Sequence, residues 1–378
     1  MQPYIPQILP VEGLNFGSLI KLVGQANAEL ARYDGLLQGI PNPAVLLSPL
    51  TTQEAVLSSK IEGTQATLDE VLEYEAGQSF SPEKNLDIHE IVNYRNALKF
   101  ATQELVHRQI TLGLVREIHH ILMESVRGAN KEPGLFRNDQ NWIGRAGCTM
   151  DEATFVPPNP LQLLDHLQAW ERYLTMDDVD YLIQVAVVHA QFELLHPFKD
   201  GNGRIGRLLI PLFLYAKKVL SSPMFYLSGY LESNRDEYYE RLKAISLEQD
   251  WNGWVAFFLR AIISQANDNA GKVKKILALY DSMKIRFREV THSQFAIQSL
   301  DTIFSQPTFS SSFFVKASGI PTKQTAMLIL RQLKEAGVLR VLQAGSGRRA
   351  ERLAFPDLVN LAEGKTVDVM DMNNFCVK

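Results

Sequence analysis

The stretch LLHPFKDGNGRIGRLL, residues 194–209, separates two apolar runs that have helical periodicity. It holds three glycines, two arginines, a histidine, an aspartate and an asparagine. Pro197 disfavours helical geometry at His196, so the first helix should end there and present the imidazole at a rigid end. The next helix should begin near Gly203. The stretch therefore predicts two apolar helices joined by a polar, glycine-rich turn.

This turn has the composition of a site for a phosphate anion. The first N–H groups of a helix have no partner within the helix, and the helix dipole is positive at that end. Two glycines let the backbone approach a ligand, and Arg204 and Arg207 lie on one helix face. Asp200 could hold Mg²⁺, which prefers one or two carboxylates together with phosphate and water. With His196 as base, the set suits attack of a hydroxyl on a nucleotide phosphate.

Three other interpretations of the turn fail on context. Gly201-x-Gly203-x-x-Gly206 fits a dinucleotide fingerprint, but that fingerprint needs a strand before the glycines, and here a helix precedes them. A kinase-type phosphate cover is excluded because neither HRD nor DFG occurs. A zinc site built on His189 and His196 would span two helical turns, roughly 10 Å. His189 is therefore predicted to be a satisfied polar group in the core, and a plain helix–helix turn with surface arginines stays open as the alternative.

A longer pattern resembles a known family. HPFKDGNGRIGR (196–207) matches the Fic family motif, His-Pro-Phe-x-Asp-Gly-Asn-Gly-Arg-x-x-Arg, at every fixed position. GLFRN (134–138) and TFVPP (154–158) resemble the edges of the Fic flap hairpin, and LSGYLESNRDEYYERL (227–242) resembles the downstream segment. The resemblance implies a mainly α fold, a Fic-type helical bundle with a small β-hairpin flap. It also implies transfer of AMP from ATP to a Ser, Thr or Tyr hydroxyl of a target protein.

The resemblance implies a role for each matching residue. His196 is the catalytic base and Asp200 the ligand of Mg²⁺, the implied cofactor, while ATP is the substrate. The implied nucleotide-binding residues are Gly201, Asn202, Gly203, Arg204, Ile205, Gly206 and Arg207, with Tyr239 beside the base. The related Doc kinases carry Lys at the position of Gly203, so AMP transfer is favoured over phosphate transfer.

A second match concerns regulation. SSKIEG (58–63) resembles the Fic inhibitory pattern, Ser/Thr-x-x-x-Glu-Gly/Asn, through Ser58, Glu62 and Gly63. The resemblance implies that Glu62 pairs with Arg207, so that ATP binds without a correctly set γ-phosphate. A solvent-facing glutamate beside Lys60 is the alternative. Removal of AMP from a modified protein is a second activity that Glu62 leaves open.

Periodicity and turn signals also predict individual elements. Short candidate strands at Gln140–Ile143 and Thr154–Val156 predict a hairpin. Thr51 and Glu54 form a candidate capping box just ahead of the apolar run Ala55-Val56-Leu57, which predicts that a helix begins after Thr51. Asn267-Asp268-Asn269 predicts an interruption ahead of a charged connector helix at about 271–290.

Three regions are predicted: 1–90, an N-terminal helical region with the inhibitory helix; 91–267, the Fic catalytic core; and 268–378, a connector helix and a winged-helix-like domain. In the last region, two short helices and a two-strand pattern have the order of a winged helix-turn-helix domain. Residues 311–352 hold eight Lys/Arg against two acids. The alternative function is therefore a DNA-binding transcription regulator that acts through this domain. Packing against its own chain and homodimerisation are the other uses left open for it.

Composition narrows the partners and the location. The net charge of −4 argues against general polyanion binding. Two cysteines, Cys148 and Cys376, give neither a disulfide framework nor a zinc ligand set, which suits a reducing cytoplasm. No apolar run approaches a membrane span and the N-terminus lacks signal-peptide features, so a cytoplasmic protein without a membrane partner is expected. The target protein is expected to pair with the flap, 140–156, by β-augmentation, and self-modification is a further expectation.

Overall fold

The computed structural model describes residues 2–40, 42–128, 130–145, 147–347 and 349–365. Arg348, which contributes to the predicted basic surface, and residues 366–378 of the predicted third region lie outside the described residues. The described residues form two compact units. The first comprises the residues up to Gln38, Leu57–Thr64 and His89–Asp268, and the second comprises Gly39–Val56, Gln65–Ile88 and the residues from Asn269 onward. The predicted linear division at residues 90 and 267 stays a prediction.

Helices dominate the chain, which confirms the predicted mainly α fold. In chain order they are α1 (Phe16–Gln38), α2 (Pro43–Leu46), α3 (Ser48–Ile61), α4 (Leu68–Glu75), α5 (Pro82–Glu104), α6 (Leu112–Leu122), α7 (Pro160–Thr175), α8 (Tyr181–Leu195), α9 (Asn202–Ala216), α10 (Ser228–Ser233), α11 (Arg235–Glu248), α12 (Trp251–Thr291), α13 (Ala296–Ser305), α14 (Ser311–Ala317), α15 (Lys323–Glu335) and α16 (Pro356–Glu363). None of the helices in the described part of the chain has the length and apolar character needed to cross a lipid bilayer.

Helix α8 forms the centre of the first unit. It begins at the Asp180 N-cap, whose side chain accepts hydrogen bonds from the next backbone N–H groups, and almost all of its side chains are buried. Two indoles close over it: Trp170 donates to the carbonyl of Val188 at 2.9 Å, and Trp254 donates to the carbonyl of Ala186 at 2.8 Å. Helices α7, α9 and α11 pack against α8. A helix that is apolar all round is thus held at the core and carries the candidate base at its end.

Two predictions about helix boundaries are wrong. Helix α12 runs without interruption through Asn267, because the side-chain amide of that residue donates back to the carbonyl of Ile263 at 2.9 Å. The short polar side chain is satisfied inside the helix instead of ending it. Helix α3 begins at Ser48, so Thr51 lies inside the helix and is not its N-cap.

The predicted hairpin is present in a minimal form. Ile143 and Phe155 form an antiparallel bridge, in which the Ile143 N–H donates to the Phe155 carbonyl at 2.8 Å. The N-terminal segment adds to this hairpin, since the Tyr4 N–H donates to the carbonyl of Val156 at 2.9 Å. The Tyr4 ring also lies 5.8 Å from the Phe155 ring. The flap, residues 140–156, is therefore contacted on one edge by its own chain.

The second unit holds the sheet. Its three antiparallel strands, β1 (Thr308–Ser310), β2 (Arg340–Gln343) and β3 (Arg352–Ala354), lie in the order β1-β3-β2. Helices α14 and α15 stand between β1 and β2 in the chain, and α14 packs on both α15 and β1. The predicted order of two helices and a hairpin is observed, and strand β1, which was not predicted, completes the sheet.

Candidate active site

His196 ends α8 in an unusual backbone conformation. Its φ and ψ are 46° and 60°, in the left-handed region that a β-carbon disfavours. Pro197 explains why the helical region is closed to it, and the Arg137 guanidinium, through Nε, holds its carbonyl at 2.9 Å. Burial lowers the pKa of His196 to about 4, against the opposing charge of Glu62. The imidazole is therefore neutral at pH 7 and able to accept a proton.

The turn after His196 is closed by side chains of the motif itself. Asn202 accepts from the Phe198 N–H and donates to the Phe198 carbonyl, both at 2.8 Å. The fully buried Phe198 ring stacks on His119 with centroids 3.7 Å apart. The Asn202 amide thus closes the turn with its oxygen and one of its two N–H groups, while its backbone N–H lies at the start of α9.

Two glycines of the turn have different roles. Gly201 has a φ of 76° and precedes the first residue of α9. A β-carbon on Gly203 would collide with Oε1 of Glu62. The carboxylate of Glu62 therefore lies directly against the backbone of the α9 N-terminus, where the helix dipole favours an anion.

The structure brings Glu62 and Arg207 together, as the sequence predicts. Arg207 Nη2 lies 2.6 Å from Glu62 Oε1 and 2.9 Å from the Ser58 carbonyl, and Nε donates to the Ser58 hydroxyl at 2.9 Å. Arg207 is 2% exposed. Burial would raise the pKa of Glu62, but the charge and hydrogen bond of Arg207 hold it below its usual value. The Glu62 side chain is still 35% exposed, so it faces solvent on one side while its Oε1 pairs with the buried Arg207 on the other.

Arg204 is buried without a full set of partners. Its side chain is 5% exposed, and Nη1 lies 3.4 Å from Glu90 Oε2. Nη2 makes only long contacts, 3.5 Å to Asp200 Oδ1 and 3.7 Å to Met123 Sδ. Within the described residues, neither Nε nor Nη1 makes a hydrogen bond. Arg204 therefore keeps donors with which it could bind an anion.

Asp200 stands apart from other candidate metal ligands. Its Oδ1 accepts from the Gly201 N–H at 2.6 Å, and its side chain is 43% exposed. No cluster of three or more His, Cys, Asp or Glu residues that could hold a metal occurs in the described chain. A lone, accessible carboxylate fits Mg²⁺ only where phosphate oxygens and water complete the coordination.

Ile205 and Gly206 contribute less directly than the other motif residues. The Ile205 side chain is fully buried, and its N–H already donates to the Gly201 carbonyl at 3.1 Å. A β-carbon on Gly206 would collide with Oε1 of Glu193. These two residues therefore hold α9 in place against the core, and any contact with a nucleotide is confined to backbone atoms.

Tyr239 lines a cavity beside the flap. The cavity has a volume of about 410 Å³. Its lining comes from the flap, the end of α8 and α11: Ile143, Thr154, Phe155, Glu193, Leu194, Tyr239, Glu240, Leu242 and Lys243. Tyr239 is 43% exposed, and the guanidinium of Arg235 lies over its ring at 5.8 Å. A mainly apolar cavity of this size can take a planar ring.

Three supporting residues were not predicted. Arg137 is buried and also donates to the carbonyls of Asp139 and Pro158, which joins the flap to His196. His119 accepts from the Gly134 N–H through Nδ1, so its Nε2 carries the proton and donates to the Asp200 carbonyl at 3.0 Å. Burial lowers the pKa of His119 to about 4. Glu90 is the third, through its ion pair with Arg204.

The sequence also matches known protein families. A Fic/DOC family N-terminal pattern matches residues 20–103, and a Fic/DOC family pattern matches residues 109–214. Protein adenylyltransferase Fic of Drosophila erecta is 31% identical over 159 residues, which cover 41% of this chain and 30% of that protein. The same-named protein of Drosophila ananassae is 32% identical over 162 residues, with the same coverage. The chain thus matches less than a third of the length of these curated relatives.

Solved structures show the same fold. A Fic family protein from Desulfovibrio desulfuricans superposes with a TM-score of 0.57 at 19% identity, covering 94% of this chain and 98% of that one. A Fic domain containing signaling protein from Bacteroides thetaiotaomicron gives 0.53 at 18% identity, covering 66% and 97%. A helical bundle with a small hairpin flap is thus a Fic-type fold. The chain belongs to the Fic/DOC family.

Proposed function

We propose that the protein is an adenylyltransferase that moves AMP from ATP to a Ser, Thr or Tyr hydroxyl of a target protein and that Glu62 holds it inactive. One observation carries the proposal. The Glu62 carboxylate, standing in for a phosphate oxygen, lies on the α9 N-terminus and on Arg207. We call the N–H groups at the start of α9, together with Arg207, the anion nest. Because this nest holds one carboxylate next to a neutral imidazole, it is suited to hold a nucleotide phosphate in its place.

The reaction can be written with the residues present. His196 takes the proton of the target hydroxyl, whose oxygen attacks the α-phosphorus of ATP. The bond between the α-phosphorus and the α,β-bridging oxygen breaks, pyrophosphate leaves, and the target carries an AMP ester. The N–H groups at the start of α9 face the α-phosphate, and Arg204 offers its unfilled donors to the leaving phosphates. Asp200 would hold Mg²⁺, which would neutralise charge on the leaving pyrophosphate.

Inhibition follows from competition for Arg207. Separating a fully buried ion pair costs about 3–5 kcal/mol when one partner is left alone. Because the Glu62 side chain is 35% exposed, solvent screening lowers this cost for the Glu62–Arg207 pair. A net bias of about 2–3 kcal/mol against the γ-phosphate would lower productive ATP binding about 30- to 150-fold. We infer that the cavity at Tyr239 takes the nucleotide base, because it is mainly apolar and because Glu193, which lines it, lies against Gly206 of α9.

The first test uses Glu62→Gly and His196→Ala. With radiolabelled ATP and Mg²⁺, Glu62→Gly should raise AMP incorporation, measured as self-modification and as labelling of lysate proteins, by about the same 30- to 150-fold. Adding His196→Ala to Glu62→Gly should abolish the labelling, because the hydroxyl keeps its proton. Equal labelling of the wild type and Glu62→Gly would rule out autoinhibition. Incubating labelled protein with Mg²⁺ but without ATP tests whether AMP is also removed.

For target docking we favour the flap edge at residues 140–143. The other edge already receives the Tyr4 N–H at Val156. Trp142 and Ile143 are 42% and 40% exposed, and exposed large apolar side chains mark contact surfaces. An extended target segment could pair there by β-augmentation, which needs little side-chain recognition.

DNA binding through residues 311–352 is the second candidate, and two exposed basic residues favour it. Lys323 and Arg340 are exposed at the start of α15 and of β2. Lys334 is less available, because both carboxylate oxygens of Glu351 accept hydrogen bonds from it at 2.8 Å. Such basic residues would contact phosphates and make binding fall steeply with salt. A gel shift at several salt concentrations, with Lys323→Glu as the comparison variant, tests this; binding unchanged by salt or by the variant would exclude it.

A further inference from the structure

The turn that carries Glu62 is anchored a second time, two residues further on. The Thr64 hydroxyl donates to Glu90 Oε2 at 2.7 Å. Thr64 is 3% exposed and Glu90 is 4% exposed, so water does not compete for this bond. A hydrogen bond to a buried carboxylate is stronger than one between neutral groups.

Glu90 also contacts the arginine that the proposed reaction uses. The oxygen that accepts from Thr64 lies 3.4 Å from Arg204 Nη1, and the other carboxylate oxygen accepts from Arg127 Nε at 2.9 Å. One buried carboxylate on α5 thus touches both the end of the inhibitory turn and the first arginine of the motif. Neither link follows from sequence spacing.

The turn between these anchors is short and internally bonded. Glu62 and Thr64 both donate their N–H groups to the Ser59 carbonyl, at 3.0 Å and 3.2 Å, and Gly63 has a φ of 98°. Ile61, just before the turn, is fully buried. A turn fixed in this way moves as one piece, so release of Thr64 from Glu90 would also displace the Glu62 carboxylate from the nest.

We propose that Glu90 is a positioning residue that locks the inhibitory turn through Thr64 and steadies Arg204 through its charge. This inference rests on the proposed function. It predicts that the Thr64–Glu90 bond stabilises the inhibited form although Thr64 touches neither ATP nor the target. When the turn leaves, Glu90 Oε2 loses the Thr64 hydroxyl and keeps its contact with Arg204.

The test removes only the Thr64 hydroxyl. Thr64→Val keeps the branched shape, and its initial rate of AMP incorporation should rise about tenfold over wild type, the factor that a charged hydrogen bond is worth. Thr64→Ser keeps the hydroxyl and should stay within about twofold of wild type. In a Glu62→Gly background, Thr64→Val should give no further increase, because the inhibitory carboxylate of Glu62 is already absent. If Thr64→Val does not fold, Thr64→Ala is read in the same way.

A second variant isolates the charge of Glu90. Glu90→Gln keeps an oxygen for Thr64 but loses the attraction for Arg204, so in the Glu62→Gly background it should raise the KM for ATP several-fold and leave kcat little changed. A general structural defect would lower kcat as well, and that result would overturn the role in positioning Arg204.

The outcomes separate the inference from the proposed function. If Thr64→Val incorporates AMP at the wild-type rate while Glu62→Gly is activated, the role of the Thr64–Glu90 bond is overturned and the proposed function stands. No labelling by Glu62→Gly overturns the proposed function itself. Activation by Thr64→Ser equal to that of Thr64→Val also overturns the role of this bond, because the serine variant keeps the hydroxyl that donates to Glu90.

Discussion

Arg137 shows how one side chain can organise a site without touching its substrate. It is 3% exposed, and burial lowers its pKa to about 10. Its planar fork donates to the carbonyls of Asp139, Pro158 and His196, so it ties the flap base to the residue in the left-handed conformation. A guanidinium suits this task because its donors point in fixed directions.

Replacing this fork should therefore cost both stability and activity. Arg137→Lys keeps the charge but leaves carbonyls without donors, which should lower the free energy of unfolding by about 1–3 kcal/mol. AMP incorporation in the Glu62→Gly background should fall as well, since His196 loses its support. Urea unfolding and labelling rates measure the two effects. Arg172→Lys, exposed on α7, is the matched control and should change neither.

At this scale the sequence reveals contiguous residues better than distant ones. His196, Asp200 and the arginines of α9 stand in one motif, and the structure places them around one turn. Glu90, His119 and Arg137 reach that turn from other elements, where no spacing links them to it. Their partners are backbone carbonyls or single side-chain atoms, which leave no periodic trace in the sequence.

Among the elements, the contact between α8 and α9 sets the shape of the site. A β-carbon on Gly206 would overlap with Glu193 Oε1 and would lie 3.3 Å from His189 Cε1. His189 is buried and contacts the Tyr238 hydroxyl at 3.0 Å, which confirms its predicted place in the core. The close approach of the two helices therefore depends on a glycine that only appears to belong to a phosphate fingerprint.

A double-mutant cycle tests this contact. Gly206→Ala should lower the free energy of unfolding by about 1–3 kcal/mol through overpacking. In a Glu193→Ala background the same change should cost much less, because the clash is gone and alanine is favoured over glycine in a helix by about 1 kcal/mol. Urea unfolding of the four proteins measures the coupling, and additive effects would contradict it. Gly24→Ala, where a β-carbon meets nothing within 4 Å, is the stabilising control.

Element types are readable from the sequence where periodicity and caps agree, as for α7, which begins after the Asn159 N-cap and has Pro160 at its first position. They were not predictable where one side chain replaces a missing signal. Asn267 bonds back into α12 and removes the expected break, and strand β1 is only three residues long, too short to show alternation.

For the whole molecule, buried titratable groups of opposite sign determine how stability varies with pH. Burial lowers the pKa values of His119 and His196 to about 4 and that of His189 to about 3, from 6.5. Between those values the unfolded chain binds more protons, so stability should rise with pH up to about 6.5. Burial raises the pKa of Glu193 from 4.5 to about 8, so Glu193 lowers the stability of the fold progressively as pH rises between these two values.

The thermal midpoint should therefore pass through a maximum near pH 6.5, because the histidine contributions are complete there while Glu193 goes on lowering stability up to about pH 8. Glu193→Gln removes the carboxyl and should flatten the decline between pH 6.5 and 8, which scanning calorimetry from pH 4 to 9 would show. A decline that persists unchanged in this variant would mean that other groups cause it.

The division into two units could not be predicted from the sequence. Each unit is assembled from separated stretches, and the short stretch 57–64 belongs to the unit of the active site while the stretches on both sides of it belong to the other. Composition does not change at those boundaries. Only spatial proximity assigns these eight residues to the site that Glu62 fills.

The hydrogen bond from Tyr4 to Val156 has a practical consequence for protein production. An affinity tag fused ahead of the chain would emerge only a few residues from the flap. A tag or linker that contains serine would therefore place acceptor hydroxyls close to the flap. Labelling rates should therefore be compared before and after proteolytic tag removal, and a mass-spectrometric search for modified peptides should include the vector-derived residues.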